Sequence, residues 1–538
     1  MMEMSPVQIP RIGLGKHKTI REGGADDQPR VILKFRNTLL DREITDLHSM
    51  HNSTLLKYDY SLYLPEKDRM VFANEFSALK IERLFVTVTP KAIFSLSKAI
   101  KSRKGDFKAI LGLLTYFTIV CTTEAQASAV VKLMKQFSTV EFVEIDGTLV
   151  TAAAQIDPSL NGAWCRAETA FLREAPGGIN AKYAWMIEKS HGIKGGDGGG
   201  TQAGLKFVDI EHGWLLTDGH TTAQNHGDIQ QVIGIDGQNR APLGHGTACL
   251  GIVVASDKEP PNPADRPSSL GITPNIGSIS CVSTYRTMSA TQPNLHDALL
   301  YAITHRLNTG DVLLVEVYYQ EFPRISPRYY GVPVEIDPII FTLIKGGTDK
   351  GITVIEPAGN SDRDNDLDLL GVPRLTRGSG VDSRAILVSA ASSSVPRSGK
   401  YPNAPLRFNQ TGYKIHSFGS RVDCFAWGED IYTTWHAPGD PPYCYFADTS
   451  GAAAIIAGAA LSVQGLAKIN LGRPFEPLEL RDILSNADPN TGGGTLSHDP
   501  PSDKIGVMPD LKNIICNRLR LVTQDSSAPA PPANLRIR

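Results

Sequence analysis

Apolar and polar positions alternate in two different textures along the chain. An ordered stretch begins at RVILKFRNT (30–38) and is followed by RLFVTVT (83–89). Thr89 is placed to cap a helix whose first residue is Pro90. A threonine oxygen accepts from the free N–H groups of the first turn, and proline lacks the N–H which that turn leaves unused. LTYFTIVC (114–121) alternates like a half-buried strand. A helix with Val130, Leu133, Met134 and Phe137 on one face comes next, and TVEFVEID (139–146) reads as another strand. Strands and helices interleaved in this way predict a small α+β domain over residues 29–150.

Residues 151–200 read as a connector ending in KGGDGGG (194–200), whose residues favour turns. Beyond it lie LKFVDI (205–210), LHDALLYAITHR (295–306), DVLLVEVYY (311–319), GITVIEPAGN (351–360) and RAILVSAAS (384–392). Near-continuous apolar strands with helices between them are the pattern of a parallel sheet buried on both faces. The spacing predicts a large α/β domain over 201–520, closed by helical segments around 477–487 and 505–519. Residues 1–28 and 521–538, the latter ending SSAPAPPANLRIR, read as disordered tails.

Composition narrows the function classes. With 54 basic and 56 acidic residues the chain carries no electrostatic footprint for nucleic acid or an anionic membrane. No apolar run reaches the roughly 20 residues of a membrane span, and the first 30 residues hold no signal-peptide core. The expectation is a cytoplasmic protein with no membrane partner, non-standard export staying open. Seven cysteines, at 121, 165, 249, 281, 424, 444 and 516, show neither a disulfide framework nor CxxC spacing. Cys424 and Cys444 bracket a loop and would pair only in an oxidising compartment.

Candidate chemistry centres on Ser450 in FADTSGAAAIIAGAAL, a hydroxyl at the head of a small-residue helix. A helix start supplies unpaired N–H groups and a favourable dipole for an oxyanion. In an open parallel sheet, functional groups collect at the carboxyl ends of strands. Asp209 ends LKFVDI, His245 opens GHGTACLGIVVA (244–255) with Thr247 behind it, and Asn360 follows GITVIEPAG, its preceding glycine allowing a sharp turn. These four positions supply every part of acyl transfer. Ser450 attacks, His245 moves the proton, Asp209 orients the imidazole, and Asn360 with the Ser450 N–H holds the oxyanion.

The same motifs resemble those of the subtilases, the subtilisin-like serine proteases: VDIEHGW, HGTACLGIVVA, EPAGN and DTSGAAAIIAGAA, in the order Asp, His, Ser. VDCFAWGEDIYTTW (422–435) is similar to the strand and loop that lead into the family's serine motif. The resemblance implies a mostly parallel subtilisin-like sheet flanked by helices and a serine endopeptidase acting on proteins or peptides. For residues 29–150 it implies a ferredoxin-like prodomain acting as intramolecular chaperone or inhibitor. No cofactor is required, and a structural calcium ion is allowed without being indicated. The alternative is a catalytically silent subtilase-like binding or scaffold protein. A serine-carboxyl peptidase is disfavoured by His245 and Asn360.

The chain departs from the family pattern at several positions. Asp448 stands where glycine is usual, Ala454 where proline is usual, and Glu211 two residues after Asp209 where glycine is usual; LLVEVYY replaces Ser-x-Gly-Gly on the cleft strand. Glu316, Glu356 and the acidic run DRDNDLD (362–368) raise a preference for basic substrate side chains. That run lacks the glycine of an EF-hand loop. His212, His220 and His226 lack metal-ligand spacing and read as loop histidines, so no metal site is expected. Cys249, one helical turn after His245, reads as a small buried hydrophobe behind the imidazole.

Overall fold

The computed structural model describes residues 28–36, 59–151, 170–172, 175, 177–191, 203–216, 229, 232–240, 242–256, 269–323, 329–361, 365–393, 415–436 and 443–522. Both expected tails, apart from residues 28, 521 and 522, fall outside these residues, as do KGGDGGG, His220, His226 and Cys165.

In the N-terminal region, β1 (Arg30–Phe35), β2 (Glu82–Arg83), β3 (Tyr116–Val120) and β4 (Val140–Ile145) form an antiparallel sheet in the order β2-β3-β1-β4. This is the strand order of the ferredoxin-like arrangement. Helix α1 (Pro90–Ser102) starts as its sequence predicts, the Thr89 side chain accepting from the Ala92 N–H. Helix α2 (Glu124–Met134) is capped by Thr123. Val130, Leu133, Met134 and Phe137 are all buried, with Phe35, Phe85 and Phe117, in one apolar core.

The chain leaves this domain through β5 (Thr148–Val150). Helix α3 (Ala181–Ser190) lies within the expected connector yet belongs to the larger domain's packing. Its start is tied to the C-terminal helix by Asn180 Nδ2 donating to Asp510 at 2.7 Å and by the Leu511 N–H donating to the Ile179 carbonyl at 3.0 Å. An alanine-rich face with Ile187 between polar residues gave too weak a pattern to separate from a linker.

In the larger domain the strands are β6 (Phe207–Glu211), β7 (Val232–Asp236), β8 (Ile279–Ser283), β9 (Val312–Val315), β10 (Tyr318–Phe322), β11 (Tyr329–Val332), β12 (Thr353–Pro357), β13 (Asn360–Ser361), β14 (Ile386–Ala391), β15 (Ile415–His416), β16 (Cys424–Trp427), β17 (Ile431–Thr434), β18 (Tyr443–Phe446), β19 (Thr495–Leu496) and β20 (Val507–Met508). Nine form one sheet, ordered β19-β20-β16-β14-β12-β9-β6-β8-β7, parallel throughout except at β19. The helices that matter for the site are α4 (Gly244–Val254), α5 (Leu295–Tyr301), α6 (Pro338–Lys350), α7 (Asp448–Asn470) and α8 (Leu511–Asn517).

Side-chain parity sorts the sheet's two faces. Phe207, Leu314 and Ile355 face a core shared with α4 and α7, whereas Val208, Val315 and Val354 face one shared with α5, α6 and the N-terminal domain. Helix α7 is long and apolar enough to cross a membrane by length and composition, contrary to the sequence expectation. However, 89% of its apolar window is buried, and its small residues let it lie close against α4, β9, β12, β14 and β16. Cys424 and Cys444 are both buried and form no disulfide.

The two domains meet through polar capping as well as apolar packing. The Thr87 N–H donates to Asp297 at 3.0 Å, and the Asp106 N–H donates to Asp349 at 3.3 Å. Strand β5 pairs antiparallel with β10, Val150 opposite Tyr318, and β11 flanks β10 on its other side.

Candidate active site

Strand β6 runs one residue further than the apolar run LKFVDI suggested, so the carboxyl at its end belongs to Glu211. Asp209 and Glu211, two apart, both point to the α4 and α7 face. Glu211 Oε1 hydrogen-bonds His245 Nδ1, and its Oε2 accepts from the His212 N–H at 3.0 Å. Asp209, expected to orient the histidine, instead accepts from Trp214 Nε1 at 2.8 Å, and its other oxygen has no hydrogen-bond partner among the described residues. Burial, then the adjacent Glu211 charge, pushes the Asp209 carboxyl well above its ordinary range. The sequence held a signal for this correction. The family's glycine two residues past the acid is absent after Asp209 and present, as Gly213, after Glu211. A Cβ at Gly213 would run into the Arg240 carbonyl.

His245 is the second residue of α4, buried, with its ring edge against Phe446 at a centroid distance of 5.2 Å. Thr247 anchors this helix start, its hydroxyl donating to the Leu243 carbonyl at 2.6 Å and accepting from the Leu215 N–H at 2.8 Å. Cys249 Sγ lies 3.8 Å from His245 Nδ1, behind the ring as helical spacing predicts. Burial and three neighbouring carboxyls push its thiol well above the ordinary range. His212 accompanies Glu211 on the strand end; its Nδ1 is 2.6 Å from the Thr284 hydroxyl, and burial lowers it to about 4.

Ser450 is the third residue of α7, where the backbone N–H has no acceptor within the helix. Its side chain is fully buried and Oγ has no hydrogen-bond partner among the described residues. Asn360 reaches the same place from the other side. Its Oδ1 accepts from the Thr449 N–H at 3.2 Å and from the Thr449 hydroxyl at 2.9 Å. That assignment leaves Nδ2 buried beside the Tyr318 hydroxyl, making no full hydrogen bond among the described residues. The turn before it needs glycine: Gly359 has φ +99° and its α-carbon faces the Gly331 carbonyl.

Asp448 begins α7 with φ +70°, which explains why glycine suits this position. The aspartate is held by His416 Nε2 at 3.2 Å. His416 pairs with Asn360 in the β13–β15 ladder, so this contact links the serine helix to the asparagine strand.

The acidic residues expected near the cleft divide. Glu316 follows β9 on the α4 and α7 face, fully buried beside the Ser450 hydroxyl and the Cys249 thiol. Glu356 lies on the opposite face, accepting from the Glu335 N–H at 3.2 Å with Arg421 nearby. Lys504 pairs with both Asp366 and Asp368, at 2.9 and 3.2 Å, offsetting one of their two charges, and 362–364 lie outside the described residues. Glu356, turned to that opposite face, does not support a preference for basic substrates.

Among the described residues two groups bring three ligand-type side chains together. In Glu211, His245 and Cys249 the hydrogen bond between the first two occupies the donor atoms a metal would need. In Asp146, His296 and Asp337 the carboxylates are already satisfied by Arg30, Tyr319 and the α6 N-terminus.

A serine hydroxyl, a buried carboxylate–imidazole pair and a buried amide donor beside a helix start are the parts of nucleophilic acyl transfer. Residues 208–500 match the model of the subtilase family. No curated protein matches the chain. Among solved structures, the chain is similar to fervidolysin from Fervidobacterium pennivorans, a keratinolytic enzyme related to subtilisin, with 14% identity and a TM-score of 0.46. That match covers 81% of this chain and 60% of fervidolysin, so the chain spans less than two thirds of that protein. It is also similar to the epidermin leader peptide processing serine protease of Staphylococcus aureus, with 14% identity, 93% and 100% coverage and a TM-score of 0.45. A serine-to-alanine mutant of the same enzyme matches at 14% identity, 91% and 99% coverage and a TM-score of 0.47.

Proposed function

Because the chain belongs to the subtilase family of serine endopeptidases, we propose that it cleaves peptide bonds with Ser450 as nucleophile, His245 as general base and acid, and Glu211 as the carboxylate that orients His245. The observation that carries this reading is the Glu211–His245 hydrogen bond at the end of a strand beside the serine helix. An acceptor on Nδ1 fixes the tautomer in which Nε2 carries the lone pair that takes the serine proton, and the carboxylate stabilises the imidazolium that results. Asn360 Nδ2 and the Ser450 N–H supply the oxyanion donors. Thr449 turns the asparagine amide the right way.

Peptide substrates are supported by the family. The pairing of β5 with β10 supports a role for the N-terminal domain as inhibitor, because an extended substrate would add to the same strand edge. Purified full-length protein is treated with a fluorophosphonate probe. Labelling is expected on Ser450 and lost in Ser450→Ala, while Asn360→Ala lowers turnover by about 10²- to 10³-fold. Labelling that persists in Ser450→Ala contradicts the assignment.

A further inference from the structure

Glu316 is an unexplained carboxyl in a place where it cannot be passive. Its backbone N–H donates to the Ile210 carbonyl at 3.0 Å, which fixes it beside the end of β6. Its side chain is wholly buried and lies next to the Ser450 hydroxyl of α7 and the Cys249 thiol of α4, with His245 one turn before that cysteine. The charged neighbours from β6 are Asp209 and Glu211. Neither Glu316 oxygen makes a full hydrogen bond among the described residues, and Ser450 Oγ is equally unsatisfied. Two unsatisfied buried groups side by side, one of them the nucleophile, form a hydrogen bond with little movement.

Resting on the catalytic reading of Ser450, we propose that Glu316 is a positioning residue for that serine: as a carboxylic acid it donates its O–H to Oγ and leaves the serine proton directed at His245, and as a carboxylate it takes that proton into a hydrogen bond and turns the enzyme off. No proton is transferred from Glu316 in either state; only the direction of the Ser450 hydroxyl changes. The surroundings favour the acid form, since burial and then the charges of Asp209 and Glu211 push the Glu316 carboxyl well above its ordinary range. A raised carboxyl stays protonated at low and moderate pH and ionises as pH rises. Activity is therefore present below that ionisation and lost above it.

The test compares pH profiles of kcat/KM and of fluorophosphonate labelling for wild type, Glu316→Gln and Glu316→Ser. Wild type is expected to show a descending alkaline limb. Glutamine keeps an N–H donor but cannot ionise, so its limb flattens while its maximal rate falls about threefold, a fraction of one hydrogen bond. Serine cannot ionise either and reports independently if the glutamine variant folds poorly. A limb that is unchanged in both variants overturns the proposal while leaving Ser450 labelling intact. Absence of Ser450 labelling at every pH overturns the catalytic reading, and the role of Glu316 with it.

Discussion

Glu211→Gln and Asp209→Asn should separate cleanly, although the two carboxyls are two residues apart on one strand. Glu211 is 1% exposed and bonded to His245. A full charge at about 3 Å from an imidazolium, at an effective dielectric of about 20, is worth roughly 5–6 kcal/mol. At 1.36 kcal/mol per decade this is about 10⁴-fold in rate. The same size of loss, about 10⁴-fold, follows the Asp-to-Asn change in a serine protease triad. Asp209→Asn keeps an oxygen to accept from Trp214 Nε1 and removes a carboxyl whose charge is already disfavoured by burial and the adjacent Glu211. Its expected cost is below about tenfold, the worth of one neutral hydrogen bond. The assay is kcat/KM on a fluorogenic peptide below saturation, with melting temperature measured in parallel. A loss in Asp209→Asn equal to or greater than that in Glu211→Gln, with both variants folded, refutes the assignment of Glu211 as the orienting carboxylate.

Two further outcomes follow from single residues. Asp448→Gly relieves a left-handed backbone worth about 1–2 kcal/mol and loses the His416 contact, so its melting temperature should stay near wild type. Asp448→Ala loses the contact and keeps the strain, and should melt distinctly lower; equal melting of the two variants contradicts the strain argument. Glu429 is raised from 4.5 to about 7, by burial first and then by the Asp430 charge. Between those pH values the unfolded chain releases a proton that the folded chain retains, so this residue makes stability fall as pH rises from 4.5 to 7. In denaturant titrations Glu429→Gln should gain on wild type across that window, and a constant difference between pH 4 and 8 argues against it.

The strand runs LKFVDI, DVLLVEVYY, GITVIEPAGN and RAILVSAAS were legible as a parallel sheet because strands buried on both faces leave an unbroken apolar record. Ser450, His245 and Asn360 were legible for a related reason. Each sits where a strand or helix ends, and the glycines and small residues needed for those turns mark the place. Helix α3 was missed because its buried face is mostly alanine. Glu356 was misplaced because a run buried on both faces conceals which side a given residue takes.

What the sequence determined by itself was the fold class, the family and the three polar residues tied to distinctive local motifs. Which carboxyl reaches His245 was decided only in three dimensions. Asp209 and Glu211 share one face of β6, and the choice between them depends on how far the strand extends and on Trp214, which folds back to occupy Asp209. The contact between Glu316 and Ser450 was equally out of reach, since it joins the ends of β9 and α7, more than a hundred residues apart. A local pattern records how a residue sits in its own element. Which partner meets it across the core depends on how those elements pack.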